Sequence, residues 1–428
     1  MSTIYALSSG RGKAGVAVIR ISGPRAHWAA ERLAGGLPPV RCVGLRALRD
    51  NSGSLLDQAL VVRFAAGQSF TGEDVAELHV HGGSATIRAV LGALDALDGL
   101  RLAEAGEFSR RALENGVLDL AQIEGLADVI EAETEAQRRQ AVRVLDGALG
   151  ALAEGWRTKL IEASALIEAT IDFSEEEVPD DVGPAVSALV GEVRASLLDE
   201  VEGVGIAERI RDGFEVAIVG PTNVGKSTLL NALAGRAAAI TSDVAGTTRD
   251  VIEVHMELRG LPVTVLDTAG LRETRDPVER IGVDRAIARA NGADLRVFLL
   301  DEDTAFSGVE KKEHDIMIFG KGDLRPGDVD SVSGKTGKGL DVLTDRIADV
   351  LENMVSGSGT ATRKRHRSAM MRAISALDRA QDELSHRDRA EFCAESLRSA
   401  VRELDSLVGR VDVENVLDEI FNRFCIGK

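Results

Sequence analysis

The residues with the clearest chemical purpose lie at 220–227, where Gly-Pro-Thr-Asn-Val-Gly-Lys-Ser fits the phosphate-binding loop pattern. An apolar strand pattern precedes this stretch, and a helix-forming stretch follows it. Glycines let backbone amides turn towards phosphate oxygens, and the start of the helix adds a positive dipole. Lys226 is expected to bridge the outer phosphates, and the Ser227 hydroxyl is expected to bind magnesium. The predicted nucleotide contacts of this loop are Asn223, Val224, Gly225, Lys226, Ser227 and Thr228.

Two shorter motifs downstream have the order expected of GTPase switch segments. Thr248 offers a hydroxyl that would complete magnesium coordination when a γ-phosphate is present. Asp267 ends a strand pattern and can hold the metal through water, while the amide of Gly270 can sense the γ-phosphate. Hydrolysis would then release both segments together. The residues predicted to contact nucleotide here are Gly246, Thr247, Thr248, Asp267, Thr268, Ala269 and Gly270.

Base recognition is predicted just after a strand pattern at 316–319. A guanine site usually has Asn-Lys-x-Asp at this point, whereas this chain has Gly320-Lys321-Gly322-Asp323. Asp323 would accept hydrogen bonds from the guanine ring NH and amine, and the Lys321 stem would cover the base. Glycine at 320 removes an amide hydrogen bond, which predicts GTP binding weaker by about 1 kcal/mol or more. The stretch Ser333-Gly334-Lys335 is either a further guanine-contacting loop or a simple turn.

Hydrolysis requires a group that orients water, and small GTPases place a glutamine directly after the Asp-x-x-Gly motif. This chain has Leu271 there. One substitute is Asn223, which could ligate a monovalent cation that acts in place of an arginine finger. The other is Glu279 in the second switch, which could activate water through a bridging molecule, although composition also allows it to be an ordinary solvated helix residue.

Strand and helix patterns alternate around these motifs and predict an α/β domain with a mostly parallel sheet. The predicted strands lie at 215–219, 251–258, 263–266, 295–300 and 316–319. Helical spacing appears on both sides of this region. It runs through Leu152, Trp156, Leu160, Ala163, Ile167 and Ile171 before it, and through Cys393, Leu397, Val401, Leu404, Val408 and Val411 after it. Because each helical piece needs a partner for its apolar stripe, the simplest arrangement is one helical domain with the α/β domain inserted.

The remaining patterns divide the chain into segments. The first ~120 residues mix short β patterns with glycine-rich turns and predict an α+β domain, with a strand at 14–21. An acidic loop from Asp172 to Pro184 is predicted to separate two helices, and the Ser-Gly-Ser-Gly stretch after Val355 is predicted to be a hinge. The predicted domains are 1–118, 119–212, 213–354 and 355–428.

Composition restricts the class of protein. The 428 residues suit about three domains. With 51 Lys and Arg against 69 Asp and Glu, the net charge is −18, so nucleic acid would need a local basic patch. The basic run 363–367 is either a solvated face or such a patch.

The cysteines Cys42, Cys393 and Cys425 are too far apart in sequence for a disulfide framework or a zinc site. We expect a cytoplasmic protein without a signal peptide or membrane span.

Taken together, these motifs resemble the MnmE (TrmE) family of tRNA-modification GTPases over nearly the whole chain. The resemblance extends well beyond the GTPase motifs. Its further marks are Gly10-Arg11-Gly12, Val18-Ile19-Arg20-Ile21-Ser22-Gly23, Ser69-Phe70-Thr71-Gly72-Glu73-Asp74, Glu77, His81-Gly82-Gly83, Gly106-Glu107-Phe108-Ser109, Leu118-Asp119-Leu120-Ala121-Gln122 and Cys425-Ile426-Gly427-Lys428.

The resemblance implies a multidomain fold: an α+β tetrahydrofolate-binding N-terminal domain that dimerises, an all-α helical domain, and an inserted α/β Ras-like P-loop GTPase domain. It also implies that the GTPase domains dimerise around potassium when GTP is bound. By this likeness Ser227 and Thr248 hold Mg²⁺, Glu279 is the general base and Lys226 the second catalytic residue. The implied potassium ligands are Asn223, Ser242, Val244 and Thr247, and Asp243 and Ala245 join the GTP-binding segment.

The resemblance also implies a folate site for 5-formyl- or methylene-tetrahydrofolate. Arg20, Glu77 and Lys428 match its positions, with cations suited to the glutamate tail and a carboxylate suited to the aminopyrimidine edge. Val117 stands where the family often has lysine, so this contact is either absent or made by the backbone, and looser folate binding is predicted. Cys425 is an active thiol, a lipidation site or an inert residue, and the Gly-Lys ending fits prenylation poorly.

The implied activity needs partners. Family members work with the flavin-dependent protein MnmG, as a heterotetramer, to build a carboxymethylaminomethyl group on carbon 5 of the tRNA wobble uridine. The rival hypothesis is a regulatory or ribosome-assembly GTPase that modifies nothing. Both share the nucleotide site, but only the first needs the N-terminal domain and the Cys-Ile-Gly-Lys ending.

Overall fold

The computed structural model describes residues 2–10, 12–172, 182–236, 253–267, 277–301, 308–325, 327–355, 357, 359–386, 389–411, 421 and 427. The chain divides into two compact units, one formed by 1–127 with 404–428 and the other by 128–403. Among the helices in these described ranges, none is both long and apolar enough to cross a membrane.

The first unit is built on a six-stranded sheet with the strand order β3-β4-β5-β2-β1-β6. The strands are β1 (Thr3–Leu7), β2 (Ala14–Ser22), β3 (Gly44–Arg49), β4 (Leu55–Phe64), β5 (Val75–Gly82) and β6 (Leu100–Leu102). Neighbouring strands are antiparallel except β1 and β6, which are parallel. The strand predicted at 14–21 is confirmed as β2.

Alternation along β1 directs side chains to two different cores. Tyr5 joins the main core, which is completed by helices α1 (Ala26–Ala34) and α2 (Ser84–Asp95). Ile4 and Ala6 join a smaller core with Phe108 from α3 (Glu107–Glu114). Helix α4 (Leu120–Glu131) follows α3 along the chain. The N-terminal part therefore has the predicted α+β fold.

Two described residues of the C-terminal segment, Phe421 and Gly427, belong to the first unit. Phe421 packs with Ile123, and a Cβ atom on Gly106, whose φ is 65°, would lie 2.8 Å from Cδ1 of Phe421. Gly427 has φ of 105°, and a Cβ atom there would lie 2.0 Å from the carbonyl oxygen of Leu7. Since a larger residue would collide with the backbone, glycine is required where the chain end meets β1.

The second unit begins with helices α5 (Glu135–Leu145), α6 (Ala148–Asp172) and α7 (Gly183–Asp212). The apolar stripe predicted on α6 is buried at Trp156, Leu160, Ala163 and Ile167. Of the loop predicted at 172–184, residues 173–181 lie outside the described part of the chain. Pro184 was predicted to be in that loop but lies in the first turn of α7, where its missing N–H has no helical partner to lose.

The inserted part is an α/β domain with the strand order β11-β10-β7-β9-β8. Its elements are β7 (Phe214–Val219), α8 (Lys226–Arg236), β8 (Glu253–Leu258), β9 (Leu261–Asp267), α9 (Pro277–Gly292), β10 (Leu295–Leu300), β11 (Ile316–Phe319), the short 3-10 helix η1 (Gly322–Leu324) and α10 (Leu340–Val355). All pairs are parallel except β8 with β9. The predicted parallel-rich sheet is confirmed.

Two further helices follow, α11 (Lys364–Leu384) and α12 (Ala390–Val408). Helix α11 belongs to the second unit, and the residues of α12 from Leu404 onward are assigned to the first. Helix α11 packs on α7: Arg194 pairs with Asp378 at 2.6 Å, and Gln381 donates to Ser187 at 2.7 Å. The α/β domain is therefore inserted between two helices that pack together, as predicted. The prediction that helical spacing continues to Val411 is wrong. Helix α12 ends at Val408, and the next residue, Gly409, has φ of 81°, which is typical of the residue that follows a helix.

Candidate functional site

The predicted phosphate loop connects buried strand β7 to helix α8. Its backbone needs unusual conformations, since Asn223 has φ of 62° and Gly225 has φ of 107°. Asparagine and glycine tolerate this left-handed region better than other residues. Gly220 is also restricted, because a Cβ atom there would lie 2.9 Å from the carbonyl oxygen of Leu299 on β10. The sequence pattern therefore corresponds to a tightly folded loop at the end of a central strand.

Lys226, the first residue of α8, lies across this loop. It is only 7% exposed, and its Nζ donates to the carbonyl oxygens of Gly220 at 2.7 Å and Pro221 at 2.9 Å. Burial lowers the pKa of Lys226, while the charge of Asp267 opposes that shift. The ammonium is thus held at the loop by neutral acceptors, and hydrogen bonds from an ammonium to anionic phosphate oxygens are stronger than these.

Ser227 and Asp267 come together although they lie on different elements. The Ser227 hydroxyl donates to Oδ2 of Asp267 at 2.8 Å. Asp267, at the end of β9, is 3% exposed, and its Oδ1 has no hydrogen-bond partner within the described part of the chain. A buried carboxylate oxygen without a donor is unusual in a native protein. The hydroxyl and carboxylate oxygens fit Mg²⁺, which prefers oxygen ligands.

The two predicted base loops also meet. Ser333, which is buried, donates its hydroxyl to Oδ1 of Asp323 at 2.7 Å. This hydrogen bond is the main cause of the lowered pKa of Asp323. A Cβ atom on Gly334 would lie 2.5 Å from the carbonyl oxygen of Thr228 on α8. The structure therefore holds the carboxylate of Asp323 ionised and places its supporting loop directly against the helix that begins at Lys226.

Gly320, which replaces the usual asparagine, touches the phosphate loop through its backbone. A Cβ atom there would lie 2.6 Å from the carbonyl oxygen of Val224 and 2.9 Å from its Cγ2. The amide of Gly320 donates to the carbonyl of Leu300 at 3.0 Å. Direct packing of residue 320 on Val224 therefore brings the base loop and the phosphate loop together without a side chain at 320.

We expect Gly320→Ala to weaken GDP binding about tenfold, because the added methyl must displace a backbone carbonyl of the phosphate loop. Fluorescence titration with a labelled GDP measures this. Gly292→Ala is the matched control in the same domain, since a Cβ atom at Gly292 meets nothing within 4 Å. Equal GDP affinity of the two variants would contradict the close packing at Gly320.

Sequence reasoning missed two polar residues of the base loops. Asp301, directly after β10, lies 3.3 Å from Nζ of Lys321 and 3.6 Å from Nη2 of Arg325. Lys338 donates to several oxygens of the same region. A signal for Asp301 was present, because polar residues at the carboxyl ends of parallel strands line ligand sites in α/β sheets. Lys338 gave no comparable signal.

Many predicted site residues lie outside the described part of the chain. They are Ser242, Asp243, Val244, Ala245, Gly246, Thr247, Thr248, Thr268, Ala269, Gly270, Cys425 and Lys428. Glu279 lies in helix α9, but its side chain is also outside what the structure describes. Lys335 is exposed in the loop that follows Ser333.

A second polar site lies on the N-terminal sheet. Arg20 on β2 and Glu77 on β5 are register partners, and Nε of Arg20 donates to Oε1 of Glu77 at 2.9 Å. Oε2 of Glu77 lies 3.2 Å from Nε2 of His79. The guanidinium of Arg20 lies 5.0 Å from the ring centre of Phe70 and 5.7 Å from that of Phe108. The structure therefore groups a cation, a carboxylate and two aromatic rings.

The charge of Glu77 results from opposing effects. Burial tends to raise the pKa of Glu77, but the hydrogen bonds and charges of His79 and Arg20 outweigh burial and lower it. Glu77 is therefore an ionised carboxylate in a partly buried setting. Val117, also predicted to lie at this site, is 41% exposed, and a Cβ atom on Gly72 would lie 3.0 Å from its Cγ2. Val117 thus borders the loop that carries Phe70.

A buried ion-pair network fixes this loop. Arg111 donates to Oε2 of Glu73 at 2.9 Å and to Oε1 of Glu107 at 2.8 Å. Glu73 also accepts from the hydroxyl of Ser22 at 2.7 Å, and that hydroxyl lies 2.7 Å from the hydroxyl of Thr71. These contacts give the sequence motifs at 69–74 and 106–109 a structural role beside the Arg20 site.

The basic run 363–367 is partly engaged within the fold. Arg363 pairs with Asp128 at 2.6 Å. His366 is fully buried, and its Nδ1 accepts from the amide of Thr362 at 3.2 Å. Lys364 and Arg367 are exposed. The run is therefore only in part a solvent-facing basic surface.

Comparison with known proteins identifies the family. Residues 3–117 match the family model for the GTP-binding protein TrmE N-terminus, and residues 120–425 match the model for the MnmE helical domain. Proteins named tRNA modification GTPase MnmE are 61% identical in Ruegeria pomeroyi, 59% in Cereibacter sphaeroides and 58% in Roseobacter denitrificans, each over 100% of both chains. The chain therefore belongs to the MnmE (TrmE) family of tRNA modification GTPases.

Proposed function

We propose that this chain is the GTPase subunit of an enzyme that installs a carboxymethylaminomethyl group on carbon 5 of the tRNA wobble uridine. The observation that carries the proposal is the presence of two chemically different sites in one chain. One is the phosphate loop with Lys226, and the other is the Arg20–Glu77 group on the N-terminal sheet. A GTPase that acts only as a switch needs the first site and has no use for the second.

At the nucleotide site, the residues have separate tasks. Lys226 binds the outer phosphates, and Ser227 with Thr248 holds Mg²⁺, to which Asp267 contributes through water. The metal, when bound, offsets the charge of the phosphate oxygens. Glu279 orients the attacking water as general base. Two observations support this assignment: the hydrogen bond from Ser227 to the buried Asp267, and the Oδ1 of Asp267, which has no hydrogen-bond partner among the residues that the structure describes.

Potassium is proposed to replace an arginine finger, and Asn223 is one of its ligands with Ser242, Val244 and Thr247. Support comes from the position of Asn223, whose side chain is exposed at a strained point of the loop with φ of 62°. An amide oxygen there is open to a cation shared with the nucleotide. Binding of GTP would then bring the GTPase domains of two chains together.

The Arg20–Glu77 group is proposed to bind 5-formyl- or methylene-tetrahydrofolate as the one-carbon donor. The donor and acceptor types suit a ligand that has both carboxylates and an aminopyrimidine edge. Phe70 and Phe108 add aromatic surface for a flat ring system. Gly427 contacts Leu7 on β1, the neighbour of the strand that carries Arg20. This contact supports a role for the adjacent Lys428 and Cys425 at the same site.

A homodimer is proposed to form through the N-terminal domain. Leu45 and Leu60 are register partners on β3 and β4, and they are 61% and 45% exposed. Val43 and Leu55, on the same two strands or next to them, are 60% and 54% exposed. A cluster of exposed large apolar residues at a sheet edge is typical of a surface that another chain covers.

The remaining partners are the flavin-dependent protein MnmG, in a heterotetramer, and tRNA, in the cytoplasm. One surface supports contact with a phosphate backbone in this acidic protein. Lys364 and Arg367 are exposed on α11.

Mass analysis of tRNA nucleosides tests the proposed function. In cells that lack this protein, we expect carboxymethylaminomethyluridine to disappear, and we expect wild-type protein but not Lys226→Ala to restore it. Lys311→Met is the matched control, since Lys311 is an exposed lysine of the same domain and should restore the modification fully. Unchanged wobble uridines in the deletion would favour the regulatory or ribosome-assembly GTPase instead.

A further inference from the structure

Lys338 lies within the base-binding loops and uses its side chain to join them. Its half-buried Nζ donates to the carbonyl oxygens of Gly322 at 3.1 Å and Arg325 at 2.7 Å, and to the hydroxyl of Ser331 at 3.2 Å. A lysine ammonium has three N–H donors. The three oxygens therefore satisfy it completely, without a carboxylate partner among these contacts.

The acceptors of Lys338 surround Asp323. Gly322 is the first residue of the turn η1 that carries this carboxylate, Arg325 directly follows the turn, and Ser331 belongs to the segment that leads to Ser333. The same two segments are joined by the backbone, since the amide of Gly322 donates to the carbonyl of Val332 at 2.9 Å. The ammonium therefore links the turn that carries Asp323 to the loop that supports this turn.

This connection between the two segments matters because Asp323 itself is exposed. Packing by neighbouring atoms therefore does not fix the position of its side chain. The amide of an asparagine at 320, the usual tie between base loop and phosphate loop, is absent in this chain. Gly320 touches Val224 through backbone packing alone, and that contact fixes the start of the turn. Beyond it, the position of the carboxylate depends on Ser333 and on the oxygens that Lys338 holds.

We propose that Lys338 is a positioning residue that sets the carboxylate of Asp323 for recognition of the guanine amine. The proposal rests on the proposed function, since it takes Asp323 as the acceptor for guanine. Without the ammonium, the carbonyl oxygens of Gly322 and Arg325 are left with the longer hydrogen bonds from the amides of Arg325 at 3.3 Å and Asp328 at 3.4 Å, so the turn is held less firmly and can shift. A shifted carboxylate loses its hydrogen bond to the exocyclic amine first. Phosphate contacts made by Lys226 are unaffected, because no acceptor of Lys338 belongs to the phosphate loop.

The test compares labelled GDP with labelled inosine diphosphate, which lacks the exocyclic amine. Dissociation constants and melting temperatures are measured for the full-length wild type, Lys338→Met, Lys338→Arg and the control Lys311→Met. We expect Lys338→Met to weaken GDP binding about tenfold and inosine diphosphate binding less than about threefold, so that the preference for guanine falls. Lys338→Arg keeps donors for the same oxygens and should retain most of the preference, while Lys311→Met should match the wild type.

Three outcomes would overturn the proposal. The first is a Lys338→Met variant with an unchanged ratio of the two affinities. The second is equal weakening of both nucleotides together with a lower melting temperature, which would indicate a purely structural role. The third is a wild type that shows no preference for GDP over inosine diphosphate, and this result alone would also overturn the proposed guanine site at Asp323.

Discussion

Replacing Asp323 with asparagine should weaken GDP binding about a hundredfold or more and create binding of xanthosine diphosphate. The carboxylate is expected to accept two hydrogen bonds from guanine, and such charge-assisted bonds contribute roughly 1.5–3 kcal/mol each. Asparagine presents an NH₂ group, which repels the guanine amine but can donate to the carbonyl that xanthine has in its place. Competition titrations with both diphosphates measure the exchange of specificity.

Ser333→Ala is the companion variant. It removes the hydroxyl that donates to Asp323 at 2.7 Å but leaves the carboxylate in place. We therefore expect about a fivefold loss of GDP affinity, because the carboxylate loses a group that orients it but keeps its own contacts with guanine, and no gain for xanthosine diphosphate. If Asp323→Asn bound GDP as tightly as the wild type, guanine would have to be recognised by other residues.

Replacing Asn223 with glycine should abolish stimulation of GTP hydrolysis by potassium. The turnover rate in potassium is expected to fall at least about tenfold, towards the rate in sodium, because the positive charge that replaces an arginine finger is lost. Glycine is the suitable substitute, since Asn223 has φ of 62° and glycine adopts this conformation without strain. Steady-state hydrolysis in equal concentrations of potassium or sodium chloride measures the effect.

Asn223→Ala separates strain from loss of the ligand. Alanine also lacks the amide, and in the left-handed region it costs roughly 1–2 kcal/mol relative to glycine, without the local hydrogen bonding that lets asparagine adopt this conformation. We expect both variants to lose potassium stimulation and only the alanine variant to lose thermal stability. GDP affinity of Asn223→Gly should stay within about threefold of wild type, since Lys226 and the backbone amides remain. Persistent potassium stimulation in Asn223→Gly would rule out this ligand.

The phosphate loop was predictable because everything it needs is local. Strand β7, the loop and helix α8 are consecutive in sequence, and Asn223 and Gly225 occupy the positions where φ is positive. The same holds for the stripe on α6, where apolar residues at three- and four-residue steps are buried. Short-range patterns of this kind determine helices, turns and the residues that a turn requires.

The supporting contacts of the base loops were not predictable in this way. Glycine at 320 looked like the loss of a hydrogen bond, but only the fold shows that the backbone of Val224 fills the place of a side chain there. In the sequence, Lys338 is an ordinary loop lysine. Only the fold brings the carbonyl oxygens of Gly322 and Arg325 within hydrogen-bond distance of its Nζ. Nothing in the spacing of these residues indicates the contact.

The sequence by itself predicted the order of the elements, the inserted α/β domain and the conformation of the loop proposed to bind phosphate. Tertiary structure decided which distant residues meet. Arg20 and Glu77 are 57 positions apart and become partners only through the register of β2 with β5, and Ser227 reaches Asp267 only because β7 lies beside β9. The physical reason is that backbone conformation follows from local chemistry, whereas strand register is set by the packing of whole faces into one core.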